Sequence, residues 1–276
     1  MTTGELSDRT ALVTGGASGI GRSIALGLAR CGANIALMSM SGDNPRKLSA
    51  ELKHFASAGE LETTRKDICA LGSKCLTFEG DVASEEDVAR TVQGAAEAFG
   101  GIDVLINNAA TNCVHPVHEH DNRAWKRIID VNLYGAYMCA RETLPFMLRA
   151  KWGRIISIAS TNAHVGTPEY SAYAASKHGL LGFNRSLALE IAEHGITANT
   201  ISPGIVETPS GALHLEKWAE RERITTTQLR ERFVGGYPAK RFIAPEEIAD
   251  LVCFLCGTRA ASINGEDIAI TTGAAF

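Results

Sequence analysis

No apolar run in this 276-residue chain approaches the ~20 residues that a membrane-spanning helix needs, so no membrane is expected as a partner. The N-terminal residues Met1 to Arg9 carry Glu5 and Asp8 and no apolar stretch, which argues against a secretory signal or a transit peptide. Long runs of lysine or arginine are missing too. With 27 basic side chains against 31 acidic ones the net charge is −4, which argues against nucleic acid or anionic lipid as the main partner. Cysteine is sparse and odd in number. The seven thiols are scattered from Cys31 to Cys256, which excludes a disulfide scaffold and suits reduced thiols in a cytoplasmic protein. Their one close pair, Cys253 and Cys256, lies in an apolar run where burial in a helix fits better than metal or redox work. What is present, 45% hydrophobic and 21% charged residues, is the composition of an ordinary soluble globular protein able to bury a core.

Short apolar runs alternate with longer stretches of helical period, the signature of parallel strands joined by helices. Strands are expected at 11–14, 34–40, 74–79, 104–107, 154–159, 196–201 and 267–271, and helices near 19–30, 85–99, 122–149, 171–193 and 245–255. Most of the strands are apolar at successive positions, as strands covered on both faces should be. Residues 1–276 therefore read as a single doubly wound α/β domain with helices on both faces of a parallel sheet. Two stretches interrupt the rhythm. An insertion near 41–72 has room for an extra helical element around 46–58 ahead of a helix near 61–71. A polar segment near 207–240, containing Trp218 and Tyr237, shows no strand pattern and is expected to form a small helical substrate lid.

Directly after the first strand the chain reads Thr14-Gly15-Gly16-Ala17-Ser18-Gly19-Ile20-Gly21-Arg22 and turns helical. Glycines at a strand-to-helix turn let the backbone approach a diphosphate, while the helix N-terminus offers unpaired N–H groups and a positive dipole end. A glycine cluster can also be a tight turn and nothing more; the strand before this one and the helix after it favour nucleotide binding. The spacing Gly-x-x-x-Gly-x-Gly, set by Gly15, Gly19 and Gly21, is not the common Gly-x-Gly-x-x-Gly. In this the chain resembles the compact members of the short-chain dehydrogenase/reductase family, which carry Thr-Gly-x-x-x-Gly-x-Gly here. Further matches extend over nearly the whole chain. Asp81-Val82 resembles the family's adenine-contacting segment, and Asn107-Asn108-Ala109-Ala110 its Asn-Asn-Ala-Gly signature with Ala110 replacing the glycine. Pro203-Gly204, with Val206 and Thr208 after it, resembles the segment that contacts the nicotinamide carboxamide. The resemblance implies a Rossmann-type fold that binds NAD or NADP over Gly15, Ser18, Gly19, Ile20 and Gly21, with Ser39, Asp81, Val82 and Asn108 on the adenosine side.

Asn132, Ser160, Tyr173 and Lys177 fall at the positions of the family's catalytic tetrad. Tyr173 and Lys177 are four apart on an expected helix and so share one face. A free phenol titrates near ~10, and a neighbouring ammonium favours its phenolate, so the expectation is a Tyr173 pKa lowered toward neutrality. Tyr173 would then act as general acid in carbonyl reduction and general base in alcohol oxidation, with Tyr173 and Lys177 also touching the cofactor. Taken alone, the pair reads more readily as a surface tyrosine beside a solvated lysine. Ser160 follows an expected strand end, where open α/β sheets bind ligands, and by resemblance would hydrogen-bond the substrate oxygen. Ser157, inside the strand, suits that role less. At Asn132 family members kink the helix and hold a water leading to the lysine. The set implies an NAD(P)-dependent oxidoreductase interconverting a secondary alcohol and a ketone. A 3-oxoacyl thioester, a polyol or sugar, and a cyclic alcohol are all compatible substrates. The alternatives are a non-catalytic nucleotide-binding sensor on the same scaffold, or an epimerase or dehydratase of the kind found in larger relatives.

Cofactor choice leans to NADP, because Ser39 stands where an NAD-binding acid would, although Ser18 lacks the basic residue of many NADP-using relatives and Arg46 is at best a substitute. Asn162 and His164, between Ser160 and Tyr173, are candidates for lining the substrate pocket, with a solvated loop as the alternative. No metal site is expected: His115, His118 and His120 have no supporting Cys or Asp framework. Lid cations such as Lys217, Arg221 and Arg230 could draw in an anionic substrate, but neighbouring acids favour a solvated helix. The usual C-terminal Asp-Gly-Gly is replaced by Thr272-Gly273-Ala274. By resemblance the protein is a homotetramer built on the Tyr173 helix and its predecessor.

Overall fold

Seven strands, β1 (Thr10–Thr14), β2 (Asn34–Ser39), β3 (Cys75–Glu79), β4 (Val104–Asn107), β5 (Gly153–Ile158), β6 (Ile196–Pro203) and β7 (Asp267–Ile270), form one sheet in the computed structural model. All pair in parallel, in the order β3-β2-β1-β4-β5-β6-β7. The structure describes residues 4–49, 51 and 53–274; residues 1–3 of the N-terminal segment, and Ala50 and Leu52 of the insertion, lie outside the described residues.

Strand residues point alternately to opposite faces, and the core divides accordingly. Ala11, Val13, Ile35, Leu37, Val104, Ile106, Ile156 and Ile201 share one buried cluster with α1 (Gly19–Arg30) and α9 (Pro245–Cys256). Leu12, Ala36, Met38, Leu105, Ile155 and Ala198 share the other with α3 (Glu85–Phe99), α5 (Gly135–Ala150) and α6 (Ser171–Ile191). Both faces are dry, which is why the strands read as continuous apolar runs. Cys253 and Cys256 are buried in α9, and no disulfide joins any of the seven cysteines. Helix starts follow local chemistry. At α3 Ser84 accepts from the Asp87 N–H, and Glu85, Glu86 and Asp87 complement the positive end. α2 (Ala58–Ala70) opens with a Ser57–Glu60 capping box.

Chain order reverses between β1 and β4, and the crevice at their carboxyl ends is where open α/β sheets bind ligands. Two expectations need correction. The helix expected over 122–149 is α4 (Asn122–Ile129), a π-turn at Asp130–Tyr134, and α5. The helix expected around 46–58 is not formed. The described residues of 41–57 run as an irregular strap, because they find partners across the cleft instead of along one helix face: Leu48 packs on the cluster of Cys113, Ala124, Ile128 and Ala172, Glu51 pairs with Arg127, and the His54 N–H donates to Ser210 Oγ at 3.1 Å. Tertiary contacts here outweigh local propensity. The segment near 207–240 forms α7 (Pro209–Glu222) and α8 (Thr226–Gly236). Among the described residues no helix is long and apolar enough to cross a membrane.

Candidate active site

The glycine turn is held by hydrogen bonds to two other segments. Gly15, at φ +65°, donates its N–H to Met38 O on β2 at 2.7 Å. Asn108 Nδ2 donates to Thr14 O at 2.9 Å and Gly15 O at 3.1 Å, while Thr14 Oγ1 accepts from the Asn108 and Ala109 N–H groups, each at 3.0 Å. Asn108 thus supports the turn as well as lining the cleft. A Cβ on Gly19 would come within 3.3 Å of Thr208. Ser18 does not cap α1 with its side chain, and the first turn carries no acid. An uncapped, uncompensated helix N-terminus behind a bare backbone turn suits an anion.

Lys177 and Tyr173 lie on α6, whose packing on the sheet buries Lys177 to 2% exposure. Lys177 Nζ donates to Ile158 O at 2.7 Å and sits 5.6 Å from the centre of the Tyr173 ring. Ser160, just past β5, hydrogen-bonds the Tyr173 hydroxyl and accepts from the Asn162 N–H at 3.2 Å. Asn132, 2% exposed in the π-turn, accepts from the Thr111 N–H at 2.8 Å and donates to Thr111 O and Ser176 Oγ, both at 3.0 Å. It ties α4 and α6 to the strand β4 exit without touching the Tyr173 hydroxyl.

The expected lowering of the Tyr173 pKa does not appear. Burial pushes the phenol up to about 12, with only the Ser160 hydrogen bond pulling it back. Lys177 moves the other way, down to about 7, because burial penalises its charge and the Lys53 ammonium repels it. In the unliganded cleft both groups are driven toward their neutral forms. Lys177→Met should therefore raise the melting temperature of the unliganded protein. A lysine depressed from 10.5 to about 7 costs nothing above 10.5, costs progressively more as pH falls from 10.5 to 7, and exacts the full penalty below 7. The gap between variant and wild type, several degrees at pH 6, is expected to close toward pH 10 in thermal unfolding scans. A pH-independent gap would reject a buried ammonium as its cause.

A cavity of about 430 Å³ joins these groups to the glycine turn. It is lined by Gly15, Ser18, Gly19, Ile20 and Gly21 on one side, by Ser160, Tyr173 and Lys177 on another, and by Pro203, Gly204, Val206 and Thr208 below α7. Asn162, Tyr170, Leu215, Trp218 and Phe233 form its far wall. A second, narrower cavity of about 40 Å³ continues past Ser39, Asp81 and Val82 and is also lined by strap residues Glu51, Lys53, His54, Phe55 and Ala56. The glycine cradle and its open helix end fit a dinucleotide diphosphate.

His164 is a correction. Its Nε2 lies 2.7 Å from Asp267 Oδ2 on β7, and it lines neither cavity, because the β7 carboxylate captures the ring. The lid cations are also committed elsewhere: Lys217 to Glu220, Arg221 to Glu169, Arg230 to Glu207 and Arg232 to Glu222. Arg46 pairs with Asp87. Asp81 is already engaged, with Oδ1 accepting from the Ala83 N–H and Oδ2 from Arg127. Sequence reasoning missed the strap residues Glu51, Lys53 and His54 in the cleft, and Arg127 with them. The one available signal was the excess length of 41–72.

Residues 15–275 match the sequence profile of a family described as enoyl-(acyl carrier protein) reductase. D-beta-hydroxybutyrate dehydrogenase of Rhizobium meliloti is 36% identical over 267 residues, covering 96% of this chain and 98% of that protein. The 3-oxoacyl-[acyl-carrier-protein] reductase of Staphylococcus aureus is 32% identical over 266 residues, covering 96% and 97%. Among solved structures, a variant of actinorhodin polyketide ketoreductase with NADPH superposes with a TM-score of 0.88 at 31% identity, covering 99% of this chain and 98% of the other. Levodione reductase gives 0.86 at 28% identity, covering 97% and 98%. The chain belongs to the short-chain dehydrogenase/reductase family, and it is an NAD(P)-dependent oxidoreductase acting on CH–OH and keto groups.

Proposed function

We propose that the protein interconverts a secondary alcohol and a ketone with Tyr173 as the proton-transferring group, a reading carried by the convergence of Ser160, Tyr173 and Lys177 on the cavity floored by the glycine turn. The dinucleotide, when bound, supplies or accepts the hydride. Gly15, Ser18, Gly19, Ile20 and Gly21 would hold its diphosphate, and Pro203, Gly204, Val206 and Thr208 its nicotinamide half. Ser160 steadies charge on the substrate oxygen while Tyr173 passes a proton to it in reduction and takes one in oxidation. Lys177 holds its ammonium beside the phenol ring, and Asn132 fixes the helices that carry both.

Asn162 and the apolar, aromatic wall of Tyr170, Leu215, Trp218 and Phe233 suit a substrate with a hydrophobic group beside its carbonyl, and helices α7 and α8 form the lid over it. NADP is proposed over NAD: Ser39 offers a hydroxyl where a carboxylate would repel a 2′-phosphate, and Arg127 neutralises both Glu51 and Asp81 nearby. Exposed Tyr134, Tyr137, Leu148 and Leu189 on α5, α6 and the π-turn support a homotetramer on those helices, and cysteines that form no disulfide support a reducing, cytoplasmic setting.

Following reduced-nicotinamide absorbance over a panel of hydrophobic ketones and alcohols, with both cofactors, tests the reading. Turnover with a higher kcat/KM for NADP is the expected result. Tight dinucleotide binding without turnover of any substrate would favour the sensor, and a strong preference for NAD would overturn the cofactor assignment.

A further inference from the structure

The residues common to both cavities are Gly15, Ser18, Lys53, His54, Ala110 and Thr111. They mark the junction between the adenosine and nicotinamide halves, where a dinucleotide has its two phosphates. Lys53 is foreign to the glycine turn. It arrives on the strap, which is pinned beside the lid through the His54 N–H and Ser210 Oγ.

Among the described residues, the Lys53 ammonium makes no hydrogen bond or ion pair; its one close partner is the Phe55 ring, 5.9 Å away. The larger cavity is lined by no aspartate or glutamate. In the smaller one Glu51 and Asp81 are both taken by Arg127, at 2.8 and 2.7 Å. Lys53 therefore shares the junction with Lys177 nearby and with the uncapped positive end of α1, which has no acid in its first turn. Three sources of positive potential converge there, and the carboxylates beside them, Glu51 and Asp81, are shared with Arg127. Burial brings Lys53 down to about 8, the Arg127 charge adding to it while the Glu51 and Asp81 carboxylates pull the other way. An anion at the junction would relieve all three at once.

We propose that Lys53 is a phosphate-binding residue of the cleft, carried in by the 41–57 strap to close over the diphosphate of the dinucleotide from the side opposite the glycine turn. The inference rests on the dinucleotide reading above and adds to it a ligand that no glycine motif supplies. It also gives the strap a purpose.

Equilibrium titration of wild type, Lys53→Met, Lys53→Arg and the exposed control Lys47→Met with NAD, NADP, ADP-ribose and adenosine tests this. Lys53→Met should raise the Kd for ADP-ribose and both dinucleotides roughly tenfold to a hundredfold and flatten its salt dependence, leaving adenosine, which has no phosphate, unchanged. Lys53→Arg should retain most of the affinity, and Lys47→Met all of it. Unchanged ADP-ribose affinity in Lys53→Met would overturn the proposal, as would a loss confined to NADP, which would place the contact at the 2′-phosphate. An equal loss for adenosine would overturn it too, by showing a structural role for the strap. A wild type that binds neither dinucleotide would instead refute the underlying cofactor reading.

Discussion

Tyr173→Phe is expected to lower kcat by about 10²- to 10⁴-fold in both directions while leaving the Kd for the dinucleotide nearly unchanged. The substitution removes one oxygen and keeps the ring that packs against Cys113, Ala124, Ile128 and Ala172. Ser160 is the hydrogen-bond partner of the oxygen that is lost. With the phenol raised to about 12 by burial, Tyr173 is protonated at neutral pH and competent as the acid of ketone reduction. Reduction should therefore hold steady across neutral pH, whereas alcohol oxidation, which needs the phenolate, should climb as pH rises. Stopped-flow or steady-state rates with fluorescence-monitored cofactor titration separate the two effects. Undiminished turnover in the variant would reject Tyr173 as the proton-transferring group.

The direction of that shift shows where sequence reasoning reaches its limit. The four-residue spacing of Tyr173 and Lys177 places them on one helix face, and they do share it. Whether the ammonium or the loss of water dominates depends on how deeply α6 is packed, and packing depth is not written in the spacing. The sheet was legible for the opposite reason: strands covered on both sides must be apolar at every position, so β1, β2, β4 and β5 announce themselves within a residue or two. The glycine turn and Asn108 were legible because the backbone geometry they serve tolerates few other residues. His164 misled because its partner, Asp267, is 103 residues away on β7. The strap misled because 46–58 has acceptable helix formers, yet Leu48, Glu51 and His54 each gain a distant partner that a helix would deny them.

The second large effect is expected from Gly21→Ala, and the reason is space. Gly21 is not among the glycines with positive φ, so an alanine there suffers no backbone strain and gains up to about 1 kcal/mol of helix propensity. Its Cβ, however, would lie 2.2 Å from Gly15 O and 2.5 Å from Asn108 Nδ2. Neither atom can step aside cheaply. Gly15 is anchored to Met38 O, and the Asn108 amide holds Thr14 O and Gly15 O together. Relief of the clash must push the start of α1 away from the end of β1, breaking those bonds and opening the cradle. Overpacking of this kind costs about 1–3 kcal/mol, and each buried hydrogen bond left unmade costs about 1–3 kcal/mol more, so the loss outweighs the propensity gain. Because the displaced backbone is the surface that faces the diphosphate, binding should suffer beyond stability. A dinucleotide at about a hundred times its Kd should stabilise the wild type by about 2.7 kcal/mol and raise its Tm by several degrees, whereas Gly21→Ala should show a lowered Tm and almost no response to the same addition. An equal ligand-induced shift in the variant would mean that the diphosphate does not rest on this turn.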